Sequence, residues 1–153
     1  MLTTGSPAPD FTLPRDGEAT VTLSALRPGK VVLYFYPKDD TPGCTLEAQD
    51  FNARLADFTA AGAVVIGISK DSVKSHDKFC KKHGLSIILA SDEGGTTCED
   101  YGAWVEKSMY GKTYMGIQRM TVLIDGAGNV ARVWPKVSVK GHADEVLAAV
   151  KAL

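Results

Sequence analysis

The chain lacks what would mark it for a membrane, a nucleic acid or a secreted disulfide scaffold. Its longest apolar stretch, Ala60 to Ile68, already holds two glycines and falls well short of the ~18 residues that cross a bilayer. Seventeen Lys and Arg stand against eighteen Asp and Glu, for a formal net charge of −1. That balance leaves no overall electrostatic footprint for nucleic acid or anionic lipid, although it does not exclude a local basic patch. The opening Met1-Leu-Thr-Thr-Gly-Ser-Pro7 has neither the basic start nor the apolar core of a secretory signal, so a cytoplasmic location is expected. There are only three cysteines, Cys44, Cys80 and Cys98, an odd set unlike the framework of a small secreted domain. In a reducing compartment such thiols are either buried and inert or reactive. No repeat, low-complexity tract or linker interrupts the 153 residues, of which 44% are hydrophobic. One domain over 1–153, with a sizeable core, is expected.

What is present is an alternation of buried-strand and helix patterns. Two short extended segments, Phe11–Leu13 and Thr20–Leu23, precede Val31-Val-Leu-Tyr-Phe-Tyr36, a β-branched and aromatic run suited to a strand buried on both faces. Leu46, Phe51, Leu55 and Phe58 recur at helical spacing over 45–61, with Gly62 as the stop. A second strand is expected over Ala63–Ser69 and a helix from its cap Ser72 to about His83, closed by Gly84. Ile87–Ala90 reads as a third strand, Cys98–Gly102 as a short helix, and 103–118 as a long irregular insertion. Met120–Ile124 and Asn129–Trp134 suit a hairpin, and 141–153 a closing amphipathic helix. The order implies an α/β protein of thioredoxin-like plan: a central mixed sheet flanked by helices, with an N-terminal extension.

The segment with chemical content is Pro37-Lys-Asp-Asp-Thr41-Pro42-Gly43-Cys44, at the carboxyl end of a buried strand and the start of a helix. Thr41 suits the N-cap and Pro42 the first helical position. Gly43 lets a ligand approach the backbone. Cys44 then lies in the first turn, where unpaired N–H groups and the helix dipole favour an anion, so its thiol is expected to ionise readily. Against this stands the plain alternative of a small buried hydrophobe at a helix start.

Pro37-x-x-x-Thr41-x-x-Cys44 resembles the active-site signature of the peroxiredoxins. The wider Tyr34-Phe-Tyr-Pro-Lys38 and Thr41-Pro-Gly-Cys-Thr-Leu-Glu47, together with Ser91-Asp-Glu93 and Lys107 to Arg119, resemble the bacterioferritin comigratory protein or peroxiredoxin Q subfamily. The similarity runs nearly end to end, from Gly5 to the last helix. It implies a thiol peroxidase that reduces hydrogen peroxide and organic hydroperoxides. Cys44 would be the attacking cysteine, becoming a sulfenic acid. Thr41, Gly43, Cys44 and Arg119 would line the substrate site with hydrogen-bond donors. Pro37 would shield it from water, and Glu47 would orient Arg119. Without the resemblance, Arg119 reads as a surface arginine and Glu47 as a first-turn acid complementing the dipole.

Many relatives carry a second cysteine five residues after the first, but Gln49 occupies that position here. Cys80 resembles the resolving cysteine of the branch that places it on the next helix, and the neighbouring Lys78, Lys81 and Lys82 are expected to favour its thiolate. Cys98, beside acids expected to raise its pKa, is the second candidate and otherwise structural. A disulfide needs Cα atoms within about 7 Å. Two cysteines on separate helices are therefore expected to need local unwinding of 40–48 and 72–84, with Gly43 and Gly84 as hinges. The resemblance implies no cofactor, a monomer, and thioredoxin or a similar dithiol as reductant, glutaredoxin included. Leu46, Trp104, Met109 and Tyr110 would either edge a pocket for organic peroxides or belong to the core.

Three other readings compete. His76, Cys80 and His83 share a helix face and could hold zinc with a fourth ligand. A thioredoxin-type disulfide oxidoreductase would need a second thiol where Glu47 stands. A redox sensor or chaperone-like protein could use the same disulfide as a switch.

Overall fold

The computed structural model describes residues 2–153; Met1, with which the expected domain and the N-terminal stretch begin, lies outside them. The chain runs β1 (Thr12–Arg15), β2 (Ala19–Thr22), β3 (Lys30–Phe35), α1 (Pro42–Ala53), α2 (Leu55–Ala60), β4 (Ala63–Ser69), α3 (Val73–His83), β5 (Ile88–Ser91), α4 (Thr97–Asp100), β6 (Trp104–Met109), β7 (Lys112–Ile117), β8 (Met120–Ile124), β9 (Val130–Trp134) and α5 (His142–Ala152). Seven strands form one sheet in the order β2-β1-β5-β4-β3-β8-β9. The β3–β4 and β4–β5 pairs are parallel, whereas β8 and β9 continue the sheet antiparallel. This mixed sheet with flanking helices is the expected thioredoxin-like plan.

The apolar run of β3 sends alternate residues to opposite faces, as the two-residue period of a strand requires. Val31, Leu33 and Phe35 join one core cluster with Ile66, Ile68, Phe11, Leu13, Cys98 and Tyr101. Val32, Tyr34 and Tyr36 join the other, against Phe51 of α1, Phe58 of α2, Phe79 of α3 and Val146 and Val150 of α5. Tyr34 lies across β4 where only glycine leaves room: a Cβ on Gly67 would come within 2.6 Å of the tyrosine ring. The ring stacks on Phe51, with centroids 4.7 Å apart, and so fixes α1 over the carboxyl end of β3.

Two expectations fail in detail. The helix expected over 45–61 breaks at Arg54, which leaves helical geometry at φ −107°, ψ 9°. Its guanidinium donates to the Asp50 carbonyl and pairs with Asp144 of α5. The expected irregular insertion over 103–118 is a regular hairpin, with Trp104 opposite Ile117 and Met109 opposite Lys112. Its turn residues Tyr110 and Gly111 have φ of 52° and 77°, as a two-residue hairpin turn demands. Tyr-Gly is a weak turn signal, and a strand pair exposed along much of its length carries no apolar alternation, so periodicity could not show it.

Candidate active site

The carboxyl end of β3 delivers the chain into α1 through Pro37–Thr41. Thr41 takes the N-cap position with extended backbone and Pro42 opens the helix, as the sequence predicts. The threonine side chain does not cap, however; its hydroxyl donates to the Lys38 carbonyl at 2.9 Å. That commits the single hydroxyl proton within the loop and leaves the oxygen lone pairs as acceptors. The Gly43 and Cys44 N–H groups belong to the first turn, which has no intrahelical acceptors for them. Cys44 is only 2% exposed.

Arg119, just before β8, reaches this turn from the neighbouring strand. Nη2 donates to Cys44 Sγ at 3.3 Å and Nη1 to Glu47 Oε1 at 2.6 Å. One planar guanidinium therefore spans the sulfur and the carboxylate of the next helical turn. Glu47 is 1% exposed and its Oε2 has no hydrogen-bond partner. Burial pushes its carboxyl up to about 7, against the pull of Arg119. A Cβ on Gly43 would meet Arg119 Nη2 at 3.3 Å, so the glycine gives the arginine room beside the sulfur. Cys44, Thr41, Gly43, Glu47 and Arg119 are thus brought together at the head of α1. Pro37 is exposed and lines a cleft of about 410 Å³ with Lys38, Trp104, Lys107 and Tyr114. The β6–β7 hairpin flanks the site: Lys107 is held below its ordinary value by burial and by the repulsion of Arg119. Leu46, Met109 and Tyr110 are exposed rather than core.

Cys80 is half-buried on α3. Its expected activation by lysines is not found: burial, then Asp16, Asp39 and Asp77, push the thiol up to about 12. Lys78, Lys81 and Lys82 are all exposed, and Lys82 is bonded to Asp40 instead. Cys98 is fully buried, and burial followed by Asp92 raises its thiol strongly. The Asp92 carboxylate accepts from the Cys98 and Thr97 N–H groups at 2.8 and 3.1 Å, which fits a structural place.

A buried polar network behind the site was not foreseen. The Asp39 carboxylate accepts from Tyr36 Oη at 2.5 Å and Ser75 Oγ at 2.7 Å, and faces His76 Nδ1 at 2.7 Å. His76 Nε2 lies 3.0 Å from the Ala90 carbonyl. Both ring nitrogens face acceptor oxygens, an arrangement that favours the doubly protonated ring. Burial opposes that charge, but Asp39 outweighs it and holds His76 above its ordinary value. With both nitrogens engaged in these contacts, His76 offers neither to a metal. Among the described residues no group of three His, Cys, Asp or Glu side chains is arranged to hold an ion. The sequence places Asp39 and His76 37 positions apart with no shared spacing, so only the fold could pair them.

Residues 4–133 match the AhpC/TSA family model. A peroxiredoxin Bcp of Xanthomonas campestris is 51% identical over 148 residues, covering 95% of this chain and 92% of the relative. One of Bacillus subtilis is 46% identical over 147 residues, covering 96% and 94%. A solved structure of the X. campestris bacterioferritin comigratory protein superposes with a TM-score of 0.92 at 46% identity, covering 98% of each chain. Matched over 4–133 by the family model and nearly end to end by these relatives, the chain belongs to the AhpC/TSA family, and within it to the peroxiredoxins of the bacterioferritin comigratory protein or peroxiredoxin Q group.

Proposed function

We propose that this peroxiredoxin reduces hydrogen peroxide and organic hydroperoxides through Cys44, forms an intramolecular disulfide with Cys80, and is recycled by a dithiol protein of the thioredoxin kind. The observation that carries the reading is the Arg119 fork on Cys44 Sγ and Glu47. A thiolate attacks the nearer peroxide oxygen, the O–O bond breaks, and the leaving hydroxide or alkoxide takes a proton to become water or an alcohol. Negative charge moves from sulfur to oxygen during this step. Arg119 and the first-turn N–H groups of Gly43 and Cys44 are fixed donors for that charge, and fixed donors need no reorganisation as it moves. Thr41 accepts a hydrogen bond from the peroxide and thereby orients it. Pro37, on the rim, limits water access.

The sulfenic acid is then attacked by Cys80 sulfur. The Cys44 S–O bond breaks, the S–S bond forms, and hydroxide leaves as water with the Cys80 proton. Organic substrates are supported by the exposed apolar side chains Leu46, Met109, Tyr114 and Met115 on α1 and the flanking hairpin, and by the alkyl peroxide reduction named for the X. campestris protein. Every group invoked comes from one chain, in keeping with a monomer of one domain. No cofactor is invoked, because sulfur itself carries the electrons.

Peroxide consumption with a dithiol reductant tests this directly. Cys44→Ser is expected to abolish it. Cys80→Ser is expected to oxidise once at the normal rate and then stop. Full activity in Cys44→Ser overturns the assignment, and arrest in Cys98→Ser rather than Cys80→Ser moves the resolving role. Stoichiometric oxidation without turnover would make the protein a redox switch instead.

A further inference from the structure

Two adjacent aspartates in the loop before Cys44 grip α3 at opposite ends, on either side of Cys80. At the first turn, Asp39 binds Ser75 and His76, and its own N–H donates to Asp71 Oδ2 at 2.9 Å. That grip is dry: the His76 side chain is 0% exposed and Asp39 4%. At the last turn, Asp40 binds Lys82 Nζ at 2.7 Å and His83 Nε2 at 2.9 Å. That grip is wet, with Asp40 42% and Lys82 62% exposed. Asp40 also holds φ at 59°, a left-handed conformation that, among non-glycine residues, Asp and Asn adopt most readily. Beyond the helix, Asn52 of α1 accepts from Ser86 N at 2.6 Å and donates to the Gly84 carbonyl at 3.4 Å.

We infer that Asp40 is a positioning residue for disulfide formation, a releasable latch on the last turn of α3, while Asp39 anchors the first turn. The inference rests on the reading of Cys80 as the resolving cysteine. With the latch closed, Cys80 stays in its helix, protonated and half-buried. When Asp40 lets go, the chain between His76 and Ser86 keeps the Asp39 and Asn52 grips at its ends, and between them the Gly17 N–H on Asp77 at 2.8 Å, the long 3.5 Å contact of Gln49 with His83 and the packing of Phe79. The turn bearing Cys80 then unwinds, Phe79 leaves its pocket, and the thiol reaches water, where it ionises more easily and can swing to the Cys44 sulfenic acid. Exposed ion pairs are weak and screened by salt, whereas the buried pair is neither. Unwinding therefore starts at the Asp40 end and stops at His76.

Rapid mixing of the reduced full-length protein with hydrogen peroxide, quenching with an alkylating agent and mass spectrometry separates the two steps. In Asp40→Asn, which tolerates the same backbone conformation, sulfenic acid formation at Cys44 is expected to stay within twofold of wild type. Cys44–Cys80 bond formation is expected to accelerate by about fivefold. Wild type is expected to accelerate as salt is raised, and the variant is not. Lys82→Gln, on a fully surface side chain, is expected to move the same way and to a smaller extent, which guards against a folding defect in the first variant. A merely structural Asp40 would alter both steps or neither, and would leave salt dependence intact. Bond formation at wild-type rate and with wild-type salt dependence in both variants overturns the latch while leaving Cys80 as resolver. Failure to find a Cys44–Cys80 bond even in wild type removes the resolver, and the latch with it.

Discussion

The first turn of α1 and the last turns of α3 each carry a cysteine, and they are built in opposite ways. Cys44 is the more buried of the two, yet a guanidinium touches its sulfur and it lies in the first turn of a helix. Cys80 is more open, yet its thiol is pushed up to about 12, because burial and then Asp16, Asp39 and Asp77 outweigh the opposing pull of Arg15. The two sulfurs thus differ in what faces them, an arginine at Cys44 and mainly carboxylates at Cys80. The difference also orders the proposed chemistry in time. Cys44 is equipped to react while folded, and Cys80 only after its helix has opened.

The comparison breaks most visibly if the cation is removed from the α1 site. Arg119→Met takes away the one side-chain donor to Cys44 Sγ among the described residues and leaves Glu47 without its ion-pair partner. Loss of one fixed donor at a developing anion lowers rate by about 10²-fold or more. Sulfenic acid formation, followed by stopped-flow mixing with hydrogen peroxide, is expected to slow by that factor. Arg119→Lys, which keeps the charge but not the fork, is expected to fall between the two. A methionine variant within threefold of wild type would mean that the helix start alone sustains the reaction and that the contrast with Cys80 lies elsewhere.

A second effect distinguishes the sites by pH. Glu47 ordinarily titrates near 4.5 and in the folded chain at about 7, because burial outweighs Arg119. Between those values the native protein holds a proton that the unfolded chain has released. The associated stability is fully present below pH 4.5 and is lost as pH rises through 7. Glu47→Gln stays neutral throughout. The stability of wild type relative to this variant is therefore expected to fall by on the order of 3 kcal/mol between pH 4.5 and 8. Urea unfolding of both reduced proteins at each pH measures it, and the comparison cancels the titrations of His76 and His142. Parallel curves would show that Glu47 stays ionised beside Arg119 throughout.

These contacts also show where sequence reasoning succeeds and where it stops. The run Val31–Tyr36 could be read as a strand buried on both faces because every residue in it is apolar or aromatic. The head of α1 could be placed because Thr41, Pro42 and Gly43 each carry a local backbone preference. Arg119 became a site residue only through resemblance, since its partners are 72 and 75 positions away. The Asp39–His76 pair had no local signal whatever, and His76 drew attention for the wrong reason, as a metal ligand. The expected activation of Cys80 failed because sequence shows which lysines neighbour a cysteine but not which way they point. The β6–β7 hairpin escaped for want of an apolar period.

The smallest expected effects come from the same substitution made at both helix ends. The sequence suggests Gly43 and Gly84 alike as hinges, but the fold uses them differently. A Cβ on Gly43 would press on Arg119 Nη2 at 3.3 Å, whereas a Cβ on Gly84 meets nothing within 4 Å. Gly84 instead holds φ at 61° as the residue that closes α3, where Leu85 N bonds to the Cys80 carbonyl at 3.0 Å. Gly43→Ala should therefore displace the arginine and slow sulfenic acid formation a few-fold, with Tm nearly unchanged. Gly84→Ala should leave that step alone. Forcing alanine into the left-handed region strains the closing turn by about 1 kcal/mol, which loosens the segment around Cys80 and speeds disulfide formation about fivefold. If Gly84→Ala slowed the first step, or Gly43→Ala changed only the second, the division of labour between the two ends would be refuted.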